Sequence, residues 1–188
     1  MYEVELKVRA DHEMVRERLT DRGAAREETV TQRDIYYDAP HRDFAETDEA
    51  LRLRVERNDE AVTKLTYKGP LVDESSKTRE EHETTVGSIE DARAIVEGIG
   101  FEPAAAVEKE RERYALDGFT VTLDDVTDLG EFVEIETEVA TEAEVAAARD
   151  RARELLATLG LDIDATIRRS YLGLLFEAGE AGDTHPDV

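Results

Sequence analysis

Charged and apolar residues alternate with a period of two in six short segments, and this alternation limits the possible folds more than any other feature. The segments cover residues 3–7, 52–55, 63–68, 78–83, 108–114 and 131–136. In the first segment Glu3, Glu5 and Lys7 share one parity, and Val4 and Leu6 share the other. Side chains of a β-strand point alternately to opposite faces, so each segment predicts a strand with one charged face.

The face opposite the charged one is apolar in most of these segments. A sheet of such strands needs helices on its apolar side, and its charged side would then enclose a polar interior that suits a charged ligand. The alternative is a solvated sheet face whose charges form cross-strand ion pairs. Six segments favour the enclosed interior, although residues 78–83 and 108–114 are polar on both parities.

Turn residues and hydrophobic spacing divide the chain into about eight strands and four helices. The predicted strands are 2–9, 28–37, 50–57, 61–68, 77–86, 104–116, 118–125 and 131–139. The predicted helices follow Asp11 and Ser88 and cover about 141–159 and 165–177. Short connections between successive strands favour antiparallel pairing. Residues 69–76, GPLVDESS, are predicted to form a loop.

A length of 188 residues suits one well-filled domain, which we predict to span 1–176, followed by an acidic, glycine-containing flexible tail at 177–188. The chain has no cysteine, which excludes disulfides, thiolate metal sites and cysteine nucleophiles. It has no apolar run of membrane-spanning length and no visible signal peptide. We therefore expect a soluble, cytoplasmic protein without a membrane partner.

The net charge of −23 argues against binding to nucleic acid or to anionic membranes through a broad basic surface. Of the 24 basic residues, 19 are arginine and only five are lysine. An acidic surface poor in lysine is typical of adaptation to high salt, where charge repulsion is screened. We therefore expect a halophilic protein.

If the face of β-strand 2–9 that carries Glu3 points inward, the matching charged face of each other strand also points inward. Seven acids lie on these inward faces, namely Glu3, Glu5, Glu81, Glu83, Asp124, Glu134 and Glu136. Ten bases lie on them, namely Lys7, Arg9, Arg52, Arg54, Lys64, Lys68, Arg79, Lys109, Arg111 and Arg113. The fifth lysine, Lys77, has the same parity at the start of a strand. A basic interior within a very acidic protein favours an anionic ligand.

Two pairs of inward carboxylates are spaced for metal binding. Glu3 and Glu5, and likewise Glu134 and Glu136, lie two residues apart, which on a strand is about 6.5–7 Å. Oxygen ligands at this spacing suit one or two hard cations. Carboxylates that bind Mg²⁺ or Mn²⁺ opposite arginine and lysine are typical of polyphosphate chemistry.

The ordered motifs resemble those of the CYTH superfamily, the triphosphate tunnel metalloenzymes. The EVELK segment at 3–7 is similar to the ExExK signature of that superfamily. The resemblance continues nearly to the end of the chain through DIYYDAP (34–40), ALRLRVER (50–57), KLTYKGP (64–70), TREEHE (78–83), VEKERERY (107–114), VTLDDVTDLGEFVEIE (121–136) and SYLGLL (170–175). The YYDAP, LTYKGP and DLGEFVEIE stretches resemble the class IV adenylyl cyclase branch.

The resemblance implies an α+β fold, an eight-stranded antiparallel β-barrel with helices packed outside, whose tunnel binds a triphosphate and Mg²⁺ or Mn²⁺. It implies metal ligation by Glu3, Glu5, Asp124, Glu134 and Glu136. It implies phosphate binding by Arg52, Arg54, Lys68, Arg79, Lys109, Arg111 and Arg113, with Lys7 and Lys64 as catalytic residues. A homodimer is possible.

Three functions are compatible with this site. The favoured one is cyclisation of ATP to cyclic AMP and pyrophosphate. The second is hydrolysis of inorganic or thiamine triphosphate by a water that attacks the terminal phosphorus. The third, a polyphosphate- or nucleotide-binding module without enzymatic activity, would keep the bases but not the carboxylates, and this chain has both.

Overall fold

The computed structural model describes residues 1–73 and 76–179 and shows a closed barrel with helices on its outside. The strands are Tyr2–Arg9 (β1), Ala25–Asp38 (β2), Ala50–Arg57 (β3), Ala61–Leu71 (β4), Lys77–Val86 (β5), Glu102–Leu116 (β6), Phe119–Val126 (β7) and Gly130–Val139 (β8). The helices are His12–Asp21 (α1), Phe44–Thr47 (α2), Ile89–Gly98 (α3), Val145–Thr158 (α4) and Tyr171–Ala178 (α5), with short 3₁₀ turns at Glu142–Glu144 and Ile163–Ala165.

The strands follow one another around the barrel in the order β1, β5, β4, β3, β2, β6, β7, β8, and every neighbouring pair is antiparallel. Strand β1 closes the barrel by pairing with β5 on one side and β8 on the other. In that register Glu5 lies opposite Lys77 of β5 and Glu136 of β8. The predicted α+β fold with an eight-stranded antiparallel barrel is confirmed.

The apolar parity of the strands faces outward and is covered by helices. Leu6 and Val8 of β1 pack with Val15 of α1 and Leu156 of α4 in the largest apolar cluster. Helix α1 begins where Asp11 accepts a hydrogen bond from the backbone N–H of Met14 at 2.9 Å, as an N-cap residue should. Helix α3 covers β3 through a separate cluster.

One end of the barrel interior is apolar. Here the inward parity of four strands carries Tyr36, Val107, Val126 and Phe132, which pack against α5. The ring of Tyr171, the first residue of α5, meets the ring of Phe132 at a centroid distance of 5.0 Å. The charged part of the interior therefore lies above a floor formed by this cluster and α5.

The last helix begins later than predicted. Instead of a helix from 165, the structure has an extended segment in which the N–H of Ile167 donates to the carbonyl of Lys7 at 2.7 Å. Helix α5 then starts after Ser170, whose hydroxyl accepts from the N–H of Gly173 at 3.0 Å. The hydrogen bond to β1 keeps this segment extended, although the spacing of its apolar residues predicted a helix. Of the predicted tail at 177–188, residues 180–188 lie outside the described residues.

The predicted loop at 69–76 is shorter in the structure. Residues 69–71 belong to β4, and residues 74 and 75 lie outside the described residues. The carboxylate of Asp73 accepts from Arg149 of α4 at 2.8 Å, and its carbonyl accepts from Arg168 at 3.2 Å. Asp73 is thus held against α4. Among the helices in 1–73 and 76–179, none is long and apolar enough to cross a membrane.

Candidate functional site

A cavity of about 820 Å³ occupies the barrel interior. Every predicted site residue except Asp124 lines it. Its basic lining residues come from five strands and are Lys7, Arg52, Arg54, Lys64, Lys68, Lys77, Arg79, Lys109, Arg111 and Arg113. Strand alternation therefore does bring these distant segments to one enclosed surface.

The predicted excess of basic residues in the interior is wrong. Ten lysines and arginines line the cavity beside twelve acids, which are Glu3, Glu5, Glu28, Asp34, Asp48, Glu49, Glu56, Glu81, Glu83, Glu134, Glu136 and Glu138. Asp48 and Glu49 come from the connection between β2 and β3, outside the alternating segments. Arg9, counted as inward, instead donates to the carbonyl of Leu129 at 2.6 Å. An anion that enters the cavity is therefore surrounded by nearly equal numbers of positive and negative side chains.

Lys7 lies at the base of the cavity and is only 2% exposed. Its ammonium is 3.0 Å from Glu134 and 3.3 Å from Glu5, and it lies 3.9 Å from the ring centroid of Tyr171. Burial would lower the pKa of Lys7, but Glu5 and Glu134 raise it. Lys7 therefore stays a cation that can stabilise negative charge rather than a base that accepts a proton.

Asp124 is fully buried below the cavity lining. Arg111 donates to both of its oxygens at 2.6 Å, Lys109 donates at 2.8 Å and the hydroxyl of Tyr171 donates at 2.9 Å. In this arrangement Asp124 orients two basic residues toward the cavity. Its role as a metal ligand stays a prediction. Tyr171 belongs to this hydrogen-bond network, and the sequence analysis did not identify it as a site residue.

Asp34 has the same function on β2, two strands from Asp124 around the barrel, and sequence analysis missed it. It accepts two hydrogen bonds from Arg54 at 2.6 Å and lies 3.4 Å from Arg52. Strand β2 has no charge alternation, so the sequence did not show which of its side chains point into the barrel. The one available signal was an acid directly before the apolar run of residues 35–37.

Two further groups lie toward the cavity mouth. Lys68 is 2.6 Å from both Glu3 and Glu81. Burial and the neighbouring carboxylate of Glu3 raise the pKa of Glu81 to about 7, although Lys68 opposes this. These contacts hold Lys68 between two carboxylates.

Lys64 and Arg113 form the second group. Lys64 is 3.2 Å from Glu83. Arg113 donates to Glu56 at 2.7 Å and also to Glu28. Arg79, deeper in the wall, donates to the carboxylate of Asp48 at 2.7 Å. All seven predicted phosphate-binding side chains are therefore already paired with a carboxylate of the protein.

The carboxylates predicted to bind metal lie on adjacent strands. Glu5 faces Glu136 directly across β1 and β8, and Glu3 is the next inward residue along β1. Burial together with the charges of Glu3 and Glu134 raises the pKa of Glu136 to about 7, against the opposing charge of Arg111. Crowded carboxylates of this kind fit a divalent cation, which would favour their ionised form.

No preformed cluster of three metal-ligand side chains exists among residues 1–73 and 76–179. The reason is visible at the base of the cavity, where Lys7 lies between Glu5 and Glu134 and where Arg111 contacts Glu134. Lysine and arginine thus take the places next to these carboxylates. The oxygen donors suit Mg²⁺ or Mn²⁺ in type, and their side chains are long enough to regroup.

Comparison with known proteins gives one consistent likeness. The family model of the CYTH domain matches residues 1–171. A protein of Methanocaldococcus jannaschii named "Putative adenylate cyclase" is 39% identical over 175 residues, which cover 93% of this chain and 98% of that protein.

Solved structures extend the likeness to the fold. The PH1819 protein from Pyrococcus horikoshii OT3 has a TM-score of 0.88 and 40% identity, covering 94% of this chain and 99% of that one. A structure described as a putative adenylate cyclase from Vibrio parahaemolyticus has a TM-score of 0.82 and 25% identity, covering 94% and 98%. The fold is therefore shared with proteins of nearly the same length.

Proposed function

Because this chain belongs to the CYTH domain family, we propose that it is a divalent-metal-dependent enzyme that acts on a triphosphate inside the barrel. The observation that carries the proposal is the convergence of ten lysine and arginine side chains from five strands on one cavity. Several such residues in a row match the repeated anionic groups of a triphosphate, because each phosphoryl group offers oxygens to a guanidinium or ammonium.

The balanced charge of the cavity supports the requirement for metal. A lining with twelve acids and ten bases offers no net attraction to a triphosphate. Glu3, Glu5, Glu134 and Glu136 would hold Mg²⁺ or Mn²⁺. When bound, such a cation neutralises phosphate charge and activates the attacking or leaving oxygen. The same carboxylates would then no longer repel the substrate.

The favoured reaction is formation of cyclic AMP from ATP. The ribose 3′-hydroxyl gives its proton to solvent and its oxygen forms a bond to the α-phosphorus, while the bond from the α-phosphorus to the oxygen that bridges to the β-phosphate breaks and pyrophosphate leaves. Lys7 and Arg111, fixed by Glu134 and Asp124, would stabilise the charge that develops on the phosphoryl oxygens. Lys64 would act from the mouth of the cavity. The names of similar proteins also support this reaction.

Product analysis tests the proposal. The protein is incubated with ATP, inorganic triphosphate or thiamine triphosphate in Mg²⁺ or Mn²⁺ at high salt, and the products are separated. We expect cyclic AMP and pyrophosphate from ATP. Release of phosphate from inorganic triphosphate, with ADP and no cyclic AMP from ATP, would establish the triphosphatase instead. Tight binding without any product would establish a binding module.

Shortening the connection around residues 69–76 would distinguish cyclisation of ATP from hydrolysis of inorganic triphosphate. A cyclase must hold the nucleoside so that its 3′-hydroxyl reaches the α-phosphorus, whereas a triphosphatase needs only a water near the terminal phosphorus. Shortening residues 72–76, which follow β4, should abolish cyclisation and spare hydrolysis of inorganic triphosphate. The matched control is Arg149→Gln, which removes one tie of Asp73 to α4 but keeps the length of the connection. Equal loss of both activities in the shortened variant would show that these residues do not position a nucleoside.

A further inference from the structure

The five lysines of this chain all line the cavity, but they differ in their partners. Four of them have a carboxylate oxygen within 3.2 Å: Lys7 has Glu134 at 3.0 Å, Lys64 has Glu83 at 3.2 Å, Lys68 has Glu3 at 2.6 Å and Lys109 has Asp124 at 2.8 Å. Lys77 has no hydrogen bond or ion pair from its side chain to any residue in 1–73 and 76–179.

Lys77 lies deep in the wall rather than at its edge. It is the first residue of β5, lies opposite Glu5 of β1 and is 8% exposed. The next inward residue on β5 is Arg79, which is already bound to Asp48. A buried ammonium without a carboxylate is costly, and proteins keep few such groups without a ligand.

Charges of both signs lie near Lys77, but none of the described carboxylates forms an ion pair with it. Burial and the charges of Lys7 and Arg79 lower the pKa of Lys77 to about 7, while Glu5 and Asp48 oppose this without forming an ion pair. Lys77 therefore differs from the other four lysines in the absence of an ion-pair partner among the described residues, although Glu5 lies opposite it.

We propose that Lys77 is a phosphate-binding residue, the one lysine of the cavity that a phosphoryl oxygen can contact without displacing a carboxylate of the protein. The inference rests on the proposed triphosphate function and adds a residue to its site. At Lys64 or Lys68 a phosphate must compete with glutamates that are already in place. At Lys77 the phosphate displaces no ion-pair partner, so its charge-assisted contact adds to affinity.

The absence of an ion-pair partner also predicts how Lys77 affects the melting temperature of the protein without ligand. Replacing Lys77 with methionine removes a largely buried amine that has no ion-pair partner among the described residues and keeps the length of the side chain. The free variant should therefore melt at the same temperature as wild type or higher. Lys68→Met, the matched control, leaves Glu3 and Glu81 without their ammonium and should melt at a lower temperature.

The test measures binding of a non-hydrolysable, imido-bridged analogue of inorganic triphosphate in Mg²⁺, by calorimetry and by thermal denaturation, so that metal is present and turnover does not contribute. We expect Lys77→Met to weaken binding about tenfold to a hundredfold, as loss of one charge-assisted contact implies, and to show a smaller ligand-induced rise in melting temperature. Lys77→Arg should retain most of the affinity.

Two results would overturn the inference. One is wild-type affinity for triphosphate in Lys77→Met. The other is a lower melting temperature of that variant without ligand, which would assign Lys77 a structural role. Neither result affects the proposed function, because product analysis of the wild-type enzyme is independent of this residue. Conversely, a wild-type protein that binds triphosphate through Lys77 but forms no product would keep this inference and refute the enzyme.

Discussion

Arg54 donates two parallel hydrogen bonds to Asp34, with Nε 2.6 Å from Oδ1 and Nη2 2.6 Å from Oδ2. The pair is buried in the cavity wall, and Arg52 approaches the same carboxylate at 3.4 Å. Burial would raise the pKa of Asp34, but the charges of Arg54 and Arg52 lower it well below its usual range. One carboxylate on β2 thus orients both inward arginines of β3 before any ligand arrives.

Asp34→Asn should destabilise the fold strongly. The substitution keeps the size of the side chain but leaves Arg52 and Arg54 buried without a counter-charge, which costs about 3–5 kcal/mol of unfolding free energy when one partner of a buried pair is removed. Urea denaturation measures the effect. Asp38→Asn, at the exposed end of the same strand, is the control and should unfold like wild type. An unchanged midpoint for Asp34→Asn would mean that the two arginines do not need their partner.

Acidic pH should lower the free energy of unfolding, because Glu56 loses its charge. Burial would raise the pKa of Glu56, but hydrogen bonds from Arg113 and Gln32 lower it to about 2. Its pKa in the unfolded chain is about 4.3. The folded state therefore gains stability from Glu56 above about pH 4, and this gain is lost as the pH falls toward about 2.

The measurement for Glu56 is urea denaturation of wild type and Glu56→Gln between pH 6 and pH 2. The difference in unfolding free energy should be largest near neutral pH and should shrink as the pH falls. A difference that stays constant over this range would show that the charge of Glu56 contributes nothing.

Glu136→Gln should lower activity by orders of magnitude and leave the fold intact. The variant keeps the volume of the side chain but loses a proposed metal ligand. Since the pKa of Glu136 is raised to about 7, a neutral side chain suits the free protein well. Initial rates with increasing Mn²⁺ measure the loss, and circular dichroism checks the fold. Glu110→Gln, on the exposed face of β6, is the control. Full activity of Glu136→Gln at saturating Mn²⁺ would exclude Glu136 as a ligand.

Stability should rise with salt. With a net charge of −23, repulsion opposes the folded state at low ionic strength. We expect the melting temperature to increase up to about 1 M salt, where the Debye length is about 3 Å. Sodium and potassium chloride should act alike if screening is the cause. A melting temperature that does not change on dialysis into dilute buffer would refute adaptation to high salt.

Local pattern explains most of what could be predicted. The parity of a strand is decided by its own residues, so Glu3, Lys7, Arg52 and Lys109 were correctly placed on one interior although up to about a hundred positions separate them. Helix α1 was likewise predicted from its cap, Asp11. These features depend on residues that are near neighbours in the chain.

What could not be predicted depends on pairing between distant segments. Asp34 is part of the site only because the register of β2 and β3 puts it beside Arg54. The segment before α5 is extended only because Ile167 bonds to Lys7. Asp48 and Glu49 reach the cavity from a connection without periodicity, and they account for part of the error in its predicted charge.

The closure of the barrel by β1 has a consequence for the growing chain. The partners of β1 on one side belong to β8, so Lys7 meets Glu134 only after about 130 further residues have been made. At typical rates of synthesis this takes roughly ten seconds. During that time the charged parity of β1 has no enclosed interior to face. The barrel that holds the metal- and phosphate-binding residues therefore cannot close until β8 has been made, and a shorter nascent chain has no complete site.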